Sequence, residues 1–147
     1  MRVMGLDPSL RATGWIVIDT DELKALGWGI IKTKGNLKQS LVKIRDDLRD
    51  VIKEFSPDKA VMEAIIYHRN PKIAIMLGAV RGVILLTLED LGIEVVELQP
   101  TKIKLGTTRY GLASKEQVAN VLRNVFSLPE VEDHITDALA AAYYLVR

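Results

Sequence analysis

Residues Val3–Asp19 read VMGLDPSLRATGWIVID. A short apolar run, Arg2–Leu6, ends at Asp7-Pro8-Ser9, where a proline between two small polar side chains marks a turn. Thr13–Asp19 resumes as a β-branched and aromatic run, the composition of a strand. Lys24–Thr33 reads as a third strand, in which Gly27 and Gly29 predict a bulge or a close backbone approach. Three strands in succession predict an antiparallel meander, and the rest of the chain must cover it.

Beyond the meander, Leu37, Leu41, Ile44, Leu48, Val51, Ile52 and Phe55 recur at helical spacing and predict a surface helix over Leu37–Phe55. Lys59–Ile66 is a short strand, apolar but for Glu63. Pro71–Leu91 is a long helix opened by proline, and Ile93–Leu98 a fifth strand. Ser114 with Gln117 three residues on predicts a capping box opening a helix to about Phe126. Leu128-Pro129 breaks the chain before a last helix, Glu130–Val146. The order βββαβαβαα predicts an α/β fold: one five-stranded mixed sheet with helices on both faces, in a single domain over residues 1–147.

Composition narrows the chemistry. A chain of 147 residues can bury one core without staples. It has no cysteine, and its histidines are His68 and His134. Disulfide frameworks, cysteine zinc sites, thiol nucleophiles and multi-histidine metal sites are therefore excluded. Met1–Asp7 is too short for a signal peptide and ends in a carboxylate. The longest apolar stretch, Ile73–Leu88, is interrupted by Arg81 and Gly82 and is expected to fall short of a membrane span. The expectation is a soluble, intracellular protein.

The long helix presents two readings. Ile73, Ile75, Met76, Leu77, Val80, Val83, Ile84, Leu85, Leu86 and Leu88 surround most of its circumference. A helix apolar all round is buried on two sides. Its second side is covered either by the shorter helices or by another subunit.

Three acids sit where a carboxylate is costly. Asp7 ends the first strand, Glu63 lies within AVMEAII, and Asp137 lies within HITDALAAAYYLV. Separately, Asp7 also reads as a turn residue, Glu63 as a solvated edge residue and Asp137 as the polar face of its helix. Together they are better explained. If strands one and four are neighbours, Asp7 and Glu63 lie at the carboxyl ends of parallel strands, where open α/β sheets place ligands. The last helix then brings Asp137 to them, with His134 one turn earlier on the same face. Asp133 is a lesser candidate for the position of His134, and His134 also reads as an ordinary surface or core histidine. No lysine or arginine lies within three residues of Glu63 or Asp137, which favours a cation as the compensating charge. Such a donor set suits Mg²⁺ or Mn²⁺, two of which can clamp a phosphodiester.

The net charge of +1, from 20 basic and 19 acidic residues, argues at first against a nucleic-acid partner. The charges are segregated, however. Leu23–Arg45 holds six basic residues and no acid, and Ala64–Leu88 holds Arg69, Lys72 and Arg81 and no acid. Leu98–Asn124 holds five basic residues against Glu116. Such blocks give either a basic face that tracks phosphates or ordinary solvated helix faces. Tyr67, beside Arg69, is an aromatic able to stack on a base or simply to pack.

Five stretches, in order, resemble the RuvC-type Holliday junction resolvases, the crossover junction endodeoxyribonucleases. They are Val3–Asp19, Ala60–Asn70 (AVMEAIIYHRN), Ala74–Val83 (AIMLGAVRGV), Lys102–Val118 (KIKLGTTRYGLASKEQV) and His134–Ala142 (HITDALAAA). The resemblance implies a ribonuclease-H-like fold. It also implies a homodimer, built on the apolar helix Pro71–Leu91, that resolves four-way DNA junctions by paired hydrolysis, leaving 5′-phosphate and 3′-hydroxyl ends. Asp7, Glu63 and Asp137 then resemble the metal-binding acids of the family, with His134 at the fourth ligand position, around two Mg²⁺ or Mn²⁺ ions. Lys104 and Lys115 resemble basic residues near the scissile phosphate; Tyr67, Arg69 and Lys72 are further candidate DNA contacts. The family often has Phe where this chain has Ile66, with Tyr67 adjacent. A branch-migration motor complex is an implied partner, and the cytoplasm, at the nucleoid, the implied location. A ribonuclease-H-like nuclease acting on structured RNA and a non-catalytic junction binder are the alternatives.

Overall fold

The computed structural model describes residues 1–64, 69–108 and 114–146. Strands β1 (Arg2–Asp7), β2 (Ala12–Asp19) and β3 (Lys24–Lys32) form the expected antiparallel meander. After α1 (Leu37–Phe55), strand β4 (Lys59–Glu63) returns parallel to β1, and after α2 (Pro71–Asp90), β5 (Glu94–Leu98) lies parallel to β4. The sheet order is β3-β2-β1-β4-β5. The chain closes with α3 (Pro100–Thr108), α4 (Lys115–Phe126) and α5 (Asp133–Tyr143). This is the expected five-stranded mixed sheet with helices on both faces.

Strand alternation assigns side chains to the two layers. Met4, Leu6, Val17, Ala60 and Met62 pack with Ile44 and Leu48 of α1 and Val80, Ile84 and Leu88 of α2. Val3, Ile16, Ile18, Val61 and Leu98 pack with Leu122 of α4 and with Ile135, Ala138, Leu139 and Ala142 of α5. Asp7 and Glu63 are in phase with Val3 and Val61, so they belong to the α5 face.

The layer around α5 depends on two glycines. A Cβ on Gly5 would stand 1.9 Å from the carbonyl oxygen of Ala138, and one on Gly14 would stand 2.2 Å from that of His134. The α5 backbone therefore rests on the bare backbone of β1 and β2, and the alanines of α5 complete the close fit. Of the two expectations for Gly27 and Gly29, the bulge is found beside Gly27, and what approaches both glycines is side chain and not backbone. The register of β3 against β2 shifts between Val17 and Ile18, leaving Leu26 unpaired beside Gly27. The close approach comes from side chains, Phe55 at Gly27 and Trp15 at Gly29.

Several sequence expectations need correction. Helix α3 was not expected, because PTKIKLGTT is rich in β-branched residues, contains Gly106 and shows no apolar stripe. Within it Ile103 and Thr107 turn inward one turn apart, and the Thr107 hydroxyl donates to the Ile103 carbonyl at 3.0 Å. Strand β4 spans Lys59–Glu63, the expected end at Ile66 lying outside the described residues, and α5 starts at Asp133 rather than Glu130. The expected cap forms fully, Ser114 with Gln117 on α4, and a second capping box that was not expected, Asn36 with Gln39, opens α1. The expectation that the apolar stretch is too short for a membrane also fails on length and composition, since α2 meets both criteria. Val80, Ile84 and Leu88 are fully buried against α1 and the sheet, and Arg81 is ion-paired to Glu97 of β5.

Gly5→Ala has no low-cost accommodation, because the obstacle is backbone and not a rotatable side chain. The expected loss is about 3 kcal/mol or more, a fall in Tm of roughly 10 °C, measurable by thermal or denaturant unfolding.

Candidate active site

Asp7 and Glu63 are the last residues of β1 and β4, each following a register pair, Leu6 with Met62. Gly14 is the register partner of Asp7 on β2. Because it has no side chain, α5 descends there and delivers His134, whose Nδ1–H donates to Asp7 Oδ2 at 2.8 Å. Asp137, one turn further along α5, faces the same space. Asp7 and Glu63 thus lie at the carboxyl ends of neighbouring parallel strands, and α5 brings His134 and Asp137 to the same end of the sheet.

The charge that compensates Asp137 was not legible locally. Lys115, the first residue of α4, places Nζ 3.0 Å from Asp137 Oδ2. That contact and the surrounding acids raise the Lys115 ammonium above its ordinary value, so it is a cation throughout the neutral range. The absence of a nearby lysine in sequence therefore does not by itself call for a metal at Asp137.

Lys104 of α3 and Lys115 line an open cleft of about 240 Å³ together with Glu63, Asp137, Ile103 and Val118. Asp7 and Glu63 are both disfavoured as anions. Burial pushes the Asp7 carboxyl up; the His134 hydrogen bond opposes this and Asp137 adds to it. Burial also pushes Glu63 up, with Asp7 and Asp137 adding repulsion against the relief from Lys104 and Lys115.

The other candidates separate from this cluster. Asp133 lines a second cleft of about 340 Å³ between α4 and α5, with Asn120, Arg123 and Thr136, so His134 and not Asp133 engages Asp7. Arg69 and Lys72 are exposed at the start of α2 and do not line the carboxylate cleft. Tyr67 and Ile66 lie outside the described residues. Sequence reasoning missed Gly5 and Gly14, although a glycine inside each of two strands was the available signal.

Three carboxylates against two ammonium groups leave the site short of positive charge, and its donors are hard oxygens with one imidazole. That donor set fits hard divalent ions. Among the described residues no three acidic or histidine side chains are already closed around a common point. His134 and Lys115 hold Asp7 and Asp137 instead.

Comparison with known proteins gives one consistent result. The family model described as Crossover junction endodeoxyribonuclease RuvC matches residues 3–144. The RuvC of Caldicellulosiruptor saccharolyticus is 34% identical over 97% of this chain and 90% of its own. That of Chlorobaculum parvum is 39% identical over 97% and 80%. Among solved structures, T. thermophilus RuvC in complex with Holliday junction substrate superposes with a TM-score of 0.91 at 28% identity, covering 98% of this chain and 92% of that one.

The raised carboxyls carry a stability consequence. For Glu63 the folded-state value lies above the ordinary 4.5, so the ionised form weakens the folded state. The deficit is absent below the unfolded value, grows as pH rises through the folded value, and is complete above it. Glu63→Gln removes it. In metal-free buffer the variant is expected to melt about 1–2 °C above wild type at neutral pH, a small gain because Glu63 is only partly buried. The difference should close below about pH 4. Thermal melts at the two pH values check both halves.

Proposed function

Because the chain belongs to the RuvC family of crossover junction endodeoxyribonucleases, we propose that it resolves four-way DNA junctions through the cleft between Glu63, Lys104, Lys115 and Asp137. The observation that carries this reading is the meeting of three acids from three separate elements, β1, β4 and α5, beside two lysines. A phosphodiester is anionic and is repelled by such a cluster unless cations intervene. Asp7, Glu63, Asp137 and His134 are the residues that would hold Mg²⁺ or Mn²⁺, and two such ions supply water activation and stabilisation of the leaving oxygen.

The chain's own residues do the remainder. Lys104 and Lys115 present ammonium groups to the non-bridging phosphate oxygens, where negative charge grows in the transition state. When cations bind, Lys115 exchanges its partner Asp137 for phosphate, since a permanently charged amine needs an anion in either state. His134 fixes the orientation of the Asp7 carboxylate. The apolar walls, Ile103 and Val118, exclude water from one side of the cleft.

Paired cutting needs two such sites, and α2 supports a homodimer. Ile75 is 70% exposed and Leu86 is 62% exposed. With Gly78 and Gly82 they form a stripe along the helix opposite Val80 and Ile84. A Cβ on either glycine would meet nothing within 4 Å, so a second α2 has room to approach closely. We read residues 1–147 as one nuclease domain acting on the nucleoid in the cytoplasm, where a branch-migration motor is its fitting companion.

Two experiments test this. Asp7→Asn should keep junction binding and lose cleavage by on the order of 10³-fold or more; cutting at the wild-type rate would overturn the site, and equal cutting of structured RNA would overturn the substrate. Leu86→Glu should give a monomer in sedimentation while keeping its Tm to within about 2 °C, because the side chain has little to lose within its own subunit.

A further inference from the structure

The basic run Leu23–Arg45 has no role in the carboxylate cleft. Its members differ in how they are occupied. Lys43 is paired with Asp47 and Arg45 with Asp46. Lys32, Lys34 and Lys38 form no ion pair among the described residues, although the chain carries nearly as many acids as bases. Lys32, Lys34 and Lys43 line a concave surface of about 690 Å³ with Thr33, Gly35 and Gln39.

This surface is built onto the active-site turn. Arg11 donates from Nη2 to the Gly35 carbonyl at 2.8 Å and from Nη1 to Ser40 Oγ at 3.0 Å. The Thr33 N–H donates to the Arg11 carbonyl at 3.2 Å, and its hydroxyl donates to the Leu10 carbonyl at 2.5 Å. The β3–α1 connection is thereby fastened to the four residues that follow Asp7. Register fixes the distance. Asp7 pairs with Gly14, and Ala12, two residues away on β2, pairs with Lys32. Two strand spacings across and two residues along separate Asp7 and Lys32 by about 12 Å, the width of a B-DNA major groove.

We propose that Lys32 and Lys34 of this concave surface, with the exposed Lys38 in the adjoining first turn of α1, form a phosphate-tracking surface that holds the duplex arm flanking the cleavage site. It rests on the junction reading above and extends it from the scissile phosphate to the neighbouring backbone. Lysines on flexible stems provide charge without a fixed fork, which suits sequence-independent contact with phosphates and not base readout. A surface of this kind contributes through counterion release, so its signature is the salt dependence of binding.

The test is junction binding as a function of salt in the Asp7→Asn background, so that no cutting intervenes. Lys32→Gln/Lys34→Gln/Lys38→Gln is compared with Lys24→Gln/Lys53→Gln/Lys59→Gln, an equal charge change at the opposite end of the sheet. The first variant should reduce the slope of log K against log salt by about 2–3, at about 0.9 per phosphate lost, and weaken binding at least tenfold at about 0.15 M salt. The second should leave the slope within about 0.5 of the parent, and the three Lys→Arg replacements at 32, 34 and 38 should restore it. An unchanged slope in the first variant, or an equal loss in the second, overturns the surface. A parent that binds no junction at any salt overturns the junction reading, and the surface with it.

Discussion

The contact on which the molecule depends is the seating of α5 on β1 and β2. Two positions without side chains, Gly5 and Gly14, receive the carbonyls of Ala138 and His134, so the helix lies closer to the sheet than side-chain packing would allow. Everything at the site follows from that height. His134 reaches Asp7 only because its own backbone rests on Gly14, the residue paired with Asp7. One turn later the same descent presents Asp137 to Lys115. A side chain at either glycine would lift α5 as a body and separate the carboxylates before altering any of them.

Much of this was legible in sequence, for identifiable reasons. Asp7 and Glu63 each terminate an apolar strand, and a carboxylate in such company demands an explanation. Alternation then places both on one face. Asp137 announced itself among alanines, which mark a helix packed closely on something. What could not be read was the identity of that something. Gly5 and Gly14 sit in strands whose patterns look complete without them, and the clash they avoid lies across a gap of more than a hundred residues. The pairing of Lys115 with Asp137 was hidden for a similar reason: no cation lies beside Asp137 along the chain, and the actual partner opens another helix. Helix α3 escaped because its nine residues show no period, and Pro100, its first residue, was the sole start signal.

The site also shows what function asks of the fold. Burial raises Asp7 and Glu63, and each acid worsens the position of the others. A chain selected only for stability would replace at least one of them by an amide. Keeping three is consistent with a site whose charge balance is completed from outside, with Lys115 and His134 holding the acids in order meanwhile. The near-neutral total charge conceals this arrangement. Three acids concentrate at one half-buried point with lysines beside it, so a sum over the chain reports neither.

Helix α2 brings the two scales together. Arg81 looked in sequence like the interruption of an apolar run. In the fold it reaches Glu97 with both carboxylate oxygens engaged. Glu97 precedes Leu98, the residue in register with Glu63, and β5 leads directly into α3, which carries Lys104. A single charge in the middle of an otherwise apolar helix thus ties that helix to the strand that borders the cleft. The pair is about one-third exposed on each side, so its Coulombic contribution to stability is modest; its geometric contribution is to fix the register of α2 against the sheet. The apolar stripe of Ile75 and Leu86 is on the same rigid element, so a second subunit docked there would bear, through Arg81 and Glu97, on the strand beside Glu63.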